Sequence, residues 1–584
     1  MLLPLIAFTA VAVAALAVEI SGNVPPSQDS SAESRLRVGQ AGYLPSSPKH
    51  VVAVVRETPV TRADVRDADG RVVLSVTPAP PAENPDTAEQ VQLIDLSALD
   101  RPGTYRLVLP ETGESAELVV HPDALQRPLY LAMRSFYGQR CGIAVSLAPD
   151  FPEYSYPACH TQSSPFHESA GKTGERDVTG GWHDAGDYGK YVVNSNITVG
   201  TLLWAWELYG ETLRPLTLNI PESGGPLPDV LAEVKWNLDW MLKMQDDDGG
   251  VFHKATTARF PGMVLPQADT AAVLVIGLGR APWKTTAATA GFAAVGAIAA
   301  RVYAPFDPDY ARRWLDAAER AWAWALAHPD AHFRNNPPGI GTGPYGDGDA
   351  SDELLWAAAE LHRTTGQPHY REHFHRHHAR WAPTLRDGAP HGWPNVANLG
   401  MYAYALTPTA DPDLAARIRH DALAAADAIV ARAASHGYRI PMRPADYHWG
   451  SNSVLLNYLM MVQLAAVFEP KAAYHHAALD ALHYVFGRNT FDTSFVTHVG
   501  RRWAMRPHHR PSAADGVDAP WPGLIVGGPN ARDFNRGRAD PVPPARAWTD
   551  STDSYTTNEN AINWNAPLVF VLAGALHHAA NSGR

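Results

Sequence analysis

Two aspartates stand three positions apart in "GGWHDAGDYGKYVVNS", residues 180–195, among Trp182, His183, Tyr188 and Tyr191. The glycines allow a tight turn, and "YGKYVVNSNITVG" after them reads as the entry to a helix. A turn at a helix start can aim Asp184 and Asp187 into one cleft. Two adjacent carboxylates suit general-base chemistry, one orienting a water while the other takes its proton. The commoner fate of such a pair is an Asx-turn or a cation site. A third acid, Glu559, lies in "SYTTNENAINWNAPLVFVLAGAL", at the start of the last helix. Capped by Thr557 or Asn558, it reads as a first-turn acid favoured by the helix dipole. In a partly buried cleft beside other negative charge, the same carboxyl would stay protonated and could donate to a leaving oxygen.

Other residues could serve such a centre. "RPHHRPSAADG", 506–516, clusters His508, His509 and Arg510 as donors suited to sugar hydroxyls, with a metal site or a surface charge patch as the alternatives. Trp449 in "YHWGSN", 447–452, reads equally as a stacking platform or a core residue. "YGDGDASDELLW", 345–356, packs Asp347, Asp349, Asp352 and Glu353 among glycines, an oxygen-rich loop of the kind calcium prefers, without EF-hand spacing. "QDDDGG" at 245–250 and "PESGGPLPD" at 221–229, with Glu222 and Asp229, are weaker candidates of that type. A solvated acidic loop is the plain alternative for each. Only two cysteines occur, Cys141 and Cys159, and an exported chain would by default join them in a disulfide.

The elements that must position these residues fall into two blocks. The start, "MLLPLIAFTAVAVAALAVEISG", reads as a secretory signal over 1–17 with cleavage near Ala17, implying a secreted or periplasmic protein; an N-terminal anchor is the alternative. A polar linker over 18–34 follows. Residues 35–121 hold seven short β-branched runs separated by turns such as "DADG" and "RPG", the pattern of an immunoglobulin-type β-sandwich. From 124 to 584 the pattern is helical. "DVLAEVKWNLDWMLKMQ" spaces Val230, Leu231, Val234, Leu238, Met241 and Leu242 on one helical face. Comparable stretches lie near 125–139, 195–209, 267–279, 285–303, 308–328, 350–365, 369–383, 412–434, 452–467, 470–486 and 559–580. About a dozen helices with long Gly/Pro/Trp-rich loops predict a mainly α fold, an (α/α)6 barrel behind the small sandwich, with an irregular bundle as the alternative. The net charge of −12, without a basic block, argues against nucleic acid or an anionic membrane as partner.

Taken together, "GGWHDAGDYGKY", "MRPHHRPS", "PWPGLIVGGPN" and "SYTTNENAINWNAPLVFVLAGAL" resemble family 9 glycoside hydrolases, the inverting cellulases. "RVGQAGYLPSSPKHVVAV", 37–54, resembles the immunoglobulin-like domain preceding the barrel in one subgroup. The resemblance implies endo-acting cleavage of β-1,4-glucan, with Asp187 as general base, Asp184 as its partner and Glu559 as general acid. It implies contacts to the sugar from His508 and Arg510, and from Tyr555 and Trp449 along the cleft. In an inverting enzyme acid and base stand ~6.5–9.5 Å apart, leaving room for a water. It also implies a structural zinc held by Cys141, Cys159, His160 and His183, a closed set with no position for substrate, and calcium at the 345–356 loop. The expected partner is a β-glucan polysaccharide or oligosaccharide, soluble or amorphous, and the enzyme is expected to be a monomer. His498 stands where a glycine is expected, and Arg501, Arg502 and Trp503 add bulk near the expected cleft. Those departures leave open an exo-acting enzyme on cello-oligosaccharides or chitosan oligomers. A non-catalytic sugar-binding barrel is the reading outside the enzymes.

Overall fold

The computed structural model describes residues 34–582. The expected signal over 1–17 and the linker up to 33 lie outside the described residues. Eight short strands form the N-terminal block: β1 Leu36–Arg37, β2 His50–Val54, β3 Ala63–Arg66, β4 Val72–Val76, β5 Ala82–Asn84, β6 Glu89–Asp95, β7 Gly103–Val108 and β8 Ser115–Val120. They make two antiparallel sheets, ordered β1-β2-β6-β5 and β4-β3-β7-β8. Alternation decides which face is buried: in β8, Ala116, Leu118 and Val120 point inward while the residues between them stay in water. Leu36, Val51, Ala53, Val65, Ile94 and Leu107 complete the filling of this immunoglobulin-like sandwich. The expected seven runs all carry strands. The eighth, β5, is three residues in "PAENPDT" and shows no alternation to find it by.

Behind the sandwich lie twelve helices of nine or more residues among the described residues: α1 Gln126–Gly138, α2 Val192–Leu213, α3 Asp229–Met244, α4 Thr286–Tyr303, α5 Pro308–Ala327, α6 Ser351–Thr365, α7 Pro368–Arg386, α8 Ala397–Ala405, α9 Pro412–Ser435, α10 Ser451–Phe468, α11 Ala472–Val485 and a C-terminal helix, Ile562–Ser582. Their burial sorts them into two rings. Every residue of α4 except Arg301 is buried, whereas α5 buries one stripe including Tyr310, Trp314, Ala318 and Trp322. α7 buries only Tyr370, Phe374 and Leu385. A helix apolar all round belongs inside, and an amphipathic one outside. The C-terminal helix packs on α2, α2 on α4, α4 on α6, α6 on α8, and α10 on the C-terminal helix. The Tyr402 hydroxyl of α8 donates to the Met461 carbonyl of α10 at 3.1 Å and closes the inner ring. This is the mainly α, (α/α)6 architecture expected. α4 and α10 are long and apolar enough to cross a bilayer, yet both are buried as inner helices.

Two expectations fail. Residues 267–279 are not a helix: they hold the turn Pro266–Ala268 and a strand, Leu274–Ile276, paired antiparallel with Lys254–Thr256. The β-branched Val273, Val275 and Ile276 decide for a strand, a choice that a short apolar run leaves ambiguous. α8 was absent from the expected helices because it is nine residues long and wholly buried, so it carries no amphipathic signal.

The sandwich is seated on the barrel through buried polar groups. Asp480 of α11 pairs with His50 Nδ1 at 2.9 Å, Arg488 Nη1 at 2.6 Å and Arg439 Nε at 2.7 Å. The backbone N–H groups of Arg501 and Arg502 donate to Gln40 Oε1, and both guanidiniums pair with Asp492. Gln40 Nε2 also reaches Asp492, so both arginines take part in the interdomain seam.

Candidate active site

The turn around Asp184 and Asp187 is held from several directions. A Cβ on Gly186 would lie 1.9 Å from the His508 carbonyl oxygen, so only glycine fits where the 508 loop crosses the turn. Gly180 and Gly181 take positive φ, 87° and 76°, to enter the turn. Across the site, the Ile562 N–H donates to the Asp184 carbonyl at 2.9 Å, and Ala185 bridges Ala561. His508 bridges Glu559 and donates its N–H to the Asn558 carbonyl at 2.8 Å. Three segments distant in sequence are thus stitched backbone to backbone, and Asp184, Asp187 and Glu559 share one locus.

Their side chains differ in company. Asp184, buried, accepts from Asn194 Nδ2 and from the Tyr345 hydroxyl, each at 2.6 Å. Burial, with the Asp187 charge second, pushes its carboxyl up to about 8. Asp187 accepts from the Gly189 N–H at 2.9 Å and the Tyr191 hydroxyl at 3.3 Å. Burial raises it too, but Arg510 opposes the shift. Glu559 rises well above the usual carboxyl range, through burial first and then the charges of Asp187 and Asp184. The arrangement offers a carboxyl kept protonated beside a pair that includes a carboxylate eased toward ionisation by a guanidinium.

The expected sugar contacts are redistributed. His508 Nδ1 donates to the Thr552 carbonyl at 2.6 Å, and burial holds the ring below its ordinary pKa. The neutral ring therefore offers Nε2 as an acceptor, not a donor. His509 does not belong to the site: it is buried against Ser512 and Gln139. Arg510 spends Nη1 on the Gly186 carbonyl at 2.7 Å and Nε on Pro261, leaving Nη2 without a described partner. Trp449 and Tyr555, 45 and 50 % exposed, lie 5.5 Å apart between ring centroids, and Tyr555 is 5.8 Å from His508. They form an open aromatic row running from the acids, so Trp449 is no core residue. His498, at φ 61°, takes the left-handed conformation that usually selects glycine, and its ring is buried beside Phe151, Tyr154 and Trp503. Tyr345, Asn194 and Phe260, the last beneath the Arg510 guanidinium, were not singled out from sequence. Asn194 and Tyr345 stand inside strings quoted above, but nothing in those strings sets them apart as partners of Asp184, and Phe260 lies in none of them.

Two clusters could hold a metal. The ligand atoms of Cys141, Cys159, His160 and His183 lie within 4.8 Å of one another. Both cysteines are free, which removes the disulfide; His160 Nδ1 has no hydrogen-bond partner, and Nε2 lies 3.5 Å from Asp269 Oδ2. The Cys141 thiol is held well below its usual range by a hydrogen bond from Cys159, whose own proton is correspondingly retained. This set adjoins the acids, because the Cys141 N–H donates to the Gly181 carbonyl and the His183 N–H to that of Gln139. The second cluster is Asp347, Asp352 and Glu353. Asp347 Oδ2, Asp352 Oδ1 and both Glu353 oxygens are buried without partners. Asp349 is outside it, occupied by Arg380 and by the Ser351 N–H. The weaker calcium candidates are engaged otherwise: Glu222 is bidentate to Arg140 and Asp246 and Asp248 pair with Lys284, while Asp229 accepts hydrogen bonds from the Leu218 N–H and the Ser223 hydroxyl.

The chain is similar to known proteins over most of its length. Residues 126–572 match the model of glycosyl hydrolase family 9, and residues 31–114 that of the cellulase N-terminal ig-like domain. Endoglucanase D of Acetivibrio thermocellus is 38 % identical over 550 residues, covering 94 % of this chain and 84 % of that one. The xyloglucan-specific endo-β-1,4-glucanase of Bacteroides ovatus is 34 % identical over 575 residues, covering 94 % and 95 %. Among solved structures, the zinc-binding triple mutant of endoglucanase J30 superposes with a TM-score of 0.83 at 37 % identity, covering 91 % of this chain and 99 % of that one.

Proposed function

We propose that this chain, which belongs to glycosyl hydrolase family 9, is an endo-β-1,4-glucanase that cleaves internal bonds of a β-glucan with inversion. The observation that carries this reading is the backbone stitching of the Asp184–Asp187 turn to the Glu559 segment. Asp187 is the general base: Arg510 and the Gly189 N–H favour its ionised form, and it takes the proton of the attacking water. Asp184, oriented by Asn194 and Tyr345, helps hold that water. Glu559, kept protonated, donates to the glycosidic oxygen as the bond breaks. His508 Nε2 accepts from a sugar hydroxyl, Arg510 Nη2 donates to one, and Trp449 and Tyr555 stack along the chain.

The Cys/His set fits zinc in its donors and spacing, and four protein ligands leave no open position. Its residues brace the turn through Cys141 and His183; bound zinc supplies structural closure and no Lewis acid to the substrate. Asp347, Asp352 and Glu353 fit calcium, since orphaned buried carboxylate oxygens need a hard cation or protons. The apolar start ending in Ala-Leu-Ala supports export. Glu559→Gln and Asp187→Asn should each remove most hydrolysis without unfolding the chain, and anomer-resolved NMR should show inverted products. Retained configuration, or a wild-type rate in either variant, would overturn the assignment. Rapid viscosity loss on a long soluble glucan should accompany endo action, and slow loss with one small product would place cleavage at chain ends.

A further inference from the structure

Helix α7 carries five histidines, His369, His373, His375, His377 and His378, on the outer ring. Two of them are committed. His375 Nε2 meets the Tyr404 hydroxyl at 2.5 Å, and His378 Nδ1 turns back to the His375 carbonyl at 2.9 Å. His373 and His377 form no hydrogen bond or ion pair with any described residue. Four positions apart, they lie on one helix face. Their ring centroids are 4.4 Å apart with planes at 33°. His373 is fixed edge-on against Trp322 of α5 at 4.9 Å, while His377 is exposed to solvent.

Both rings are kept neutral, which a metal requires. Burial, then the His377 and Arg376 charges, holds His373 down to about 4, and burial with Arg376 and Arg380 lowers His377. Two neutral imidazoles at i and i+4 on a helix face are the arrangement in which a helix chelates zinc. His369, exposed one turn earlier, packs on Tyr370 at 3.9 Å and is left out of the pair.

We propose that His373 and His377 form an exchangeable surface site for a borderline divalent transition metal, with water completing the coordination. Copper(II) should bind more tightly than nickel(II) or zinc(II), following the usual order for nitrogen ligands. Arg376 and Arg380 repel a dication, so the site is weaker than the closed Cys/His set. Chelation across one turn would clip α7 and raise stability by mass action.

The test is calorimetric titration of the untagged full chain with copper(II) after zinc loading, with electron paramagnetic resonance to identify nitrogen ligands. One further equivalent should bind with imidazole hyperfine structure and raise Tm. His373→Ala and His377→Ala should each weaken that equivalent more than tenfold, while His375→Ala and the rate of glucan hydrolysis stay unchanged. No further equivalent, or one that survives both substitutions, would overturn the proposal.

Discussion

The Tyr345 hydroxyl donates to the Asp184 carboxylate at 2.6 Å, from a loop that meets the Asp184 turn only in the folded chain. Its ring packs between Tyr191 at 4.7 Å and Trp393 at 5.1 Å, and its backbone takes the left-handed φ of 44°. A non-glycine residue held there is over-determined by its surroundings. Tyr345→Phe removes the donor and keeps the packing. The Asp184 carboxyl, pushed up to about 8, is largely protonated at neutral pH, so the expected result is a loss of about two- to tenfold in kcat, the worth of one neutral hydrogen bond that orients it, with little change in Tm. Steady-state kinetics beside a thermal melt check it.

The pH profile should report the crowding of three acids. Glu559 is raised by burial and by Asp187 and Asp184, so removing one neighbouring charge should lower it. In Asp184→Asn, the alkaline limb of kcat/KM should move toward lower pH, because Glu559 loses its proton sooner. An unmoved limb would exclude Glu559 as the group that sets it.

Metal analysis should find about one zinc per chain at the Cys/His set. Cys141→Ser should lose that zinc and lower Tm, since binding energy at a structural site is folding energy. Peptide mapping under non-reducing conditions should show no Cys141–Cys159 disulfide.

Asp480 ties the sandwich to the barrel. The Arg488 charge, with His50 and Arg439, overcomes burial and holds its carboxyl far below the usual range. A depressed carboxylate contributes stability that is present above its unfolded pKa and lost as pH falls through the folded value. Asp480→Ala leaves Arg488 buried and unpaired and should cost about 3–5 kcal/mol. Denaturant melts at neutral and acid pH check both the size and the narrowing of the difference on acidification.

Much of the fold was legible because its signals are local. The alternation in β8 and the apolar stripe of α5 each state which face is buried within a few residues. Legibility failed where burial is complete or periodicity short. α8 is buried throughout, and the run ending at Ile276 is too short for periodicity to separate strand from helix, leaving its β-branched residues and its pairing with Lys254–Thr256 to decide. In the site, the acids and the Cys/His set were readable as residue types in distinctive strings. Composition alone did not separate His509 from His508 and Arg510, which form one donor cluster in sequence, while the chain turns only His508 and Arg510 toward the acids.

The amino-acid order alone determined the chemistry on offer: three carboxylates, a thiol–imidazole set, and an architecture of β-sandwich and paired helices. Side-chain type and near-neighbour spacing are written in the chain itself. Only the tertiary structure decided which groups meet. Tyr345 reaching Asp184, Arg510 spent on Gly186, Asp349 drawn to Arg380, and Arg501 and Arg502 turned to the interdomain seam all depend on contacts between remote segments. Hydrogen bonds and charge interactions fall off within a few ångströms, so their partners are set by the packed fold and not by distance along the chain.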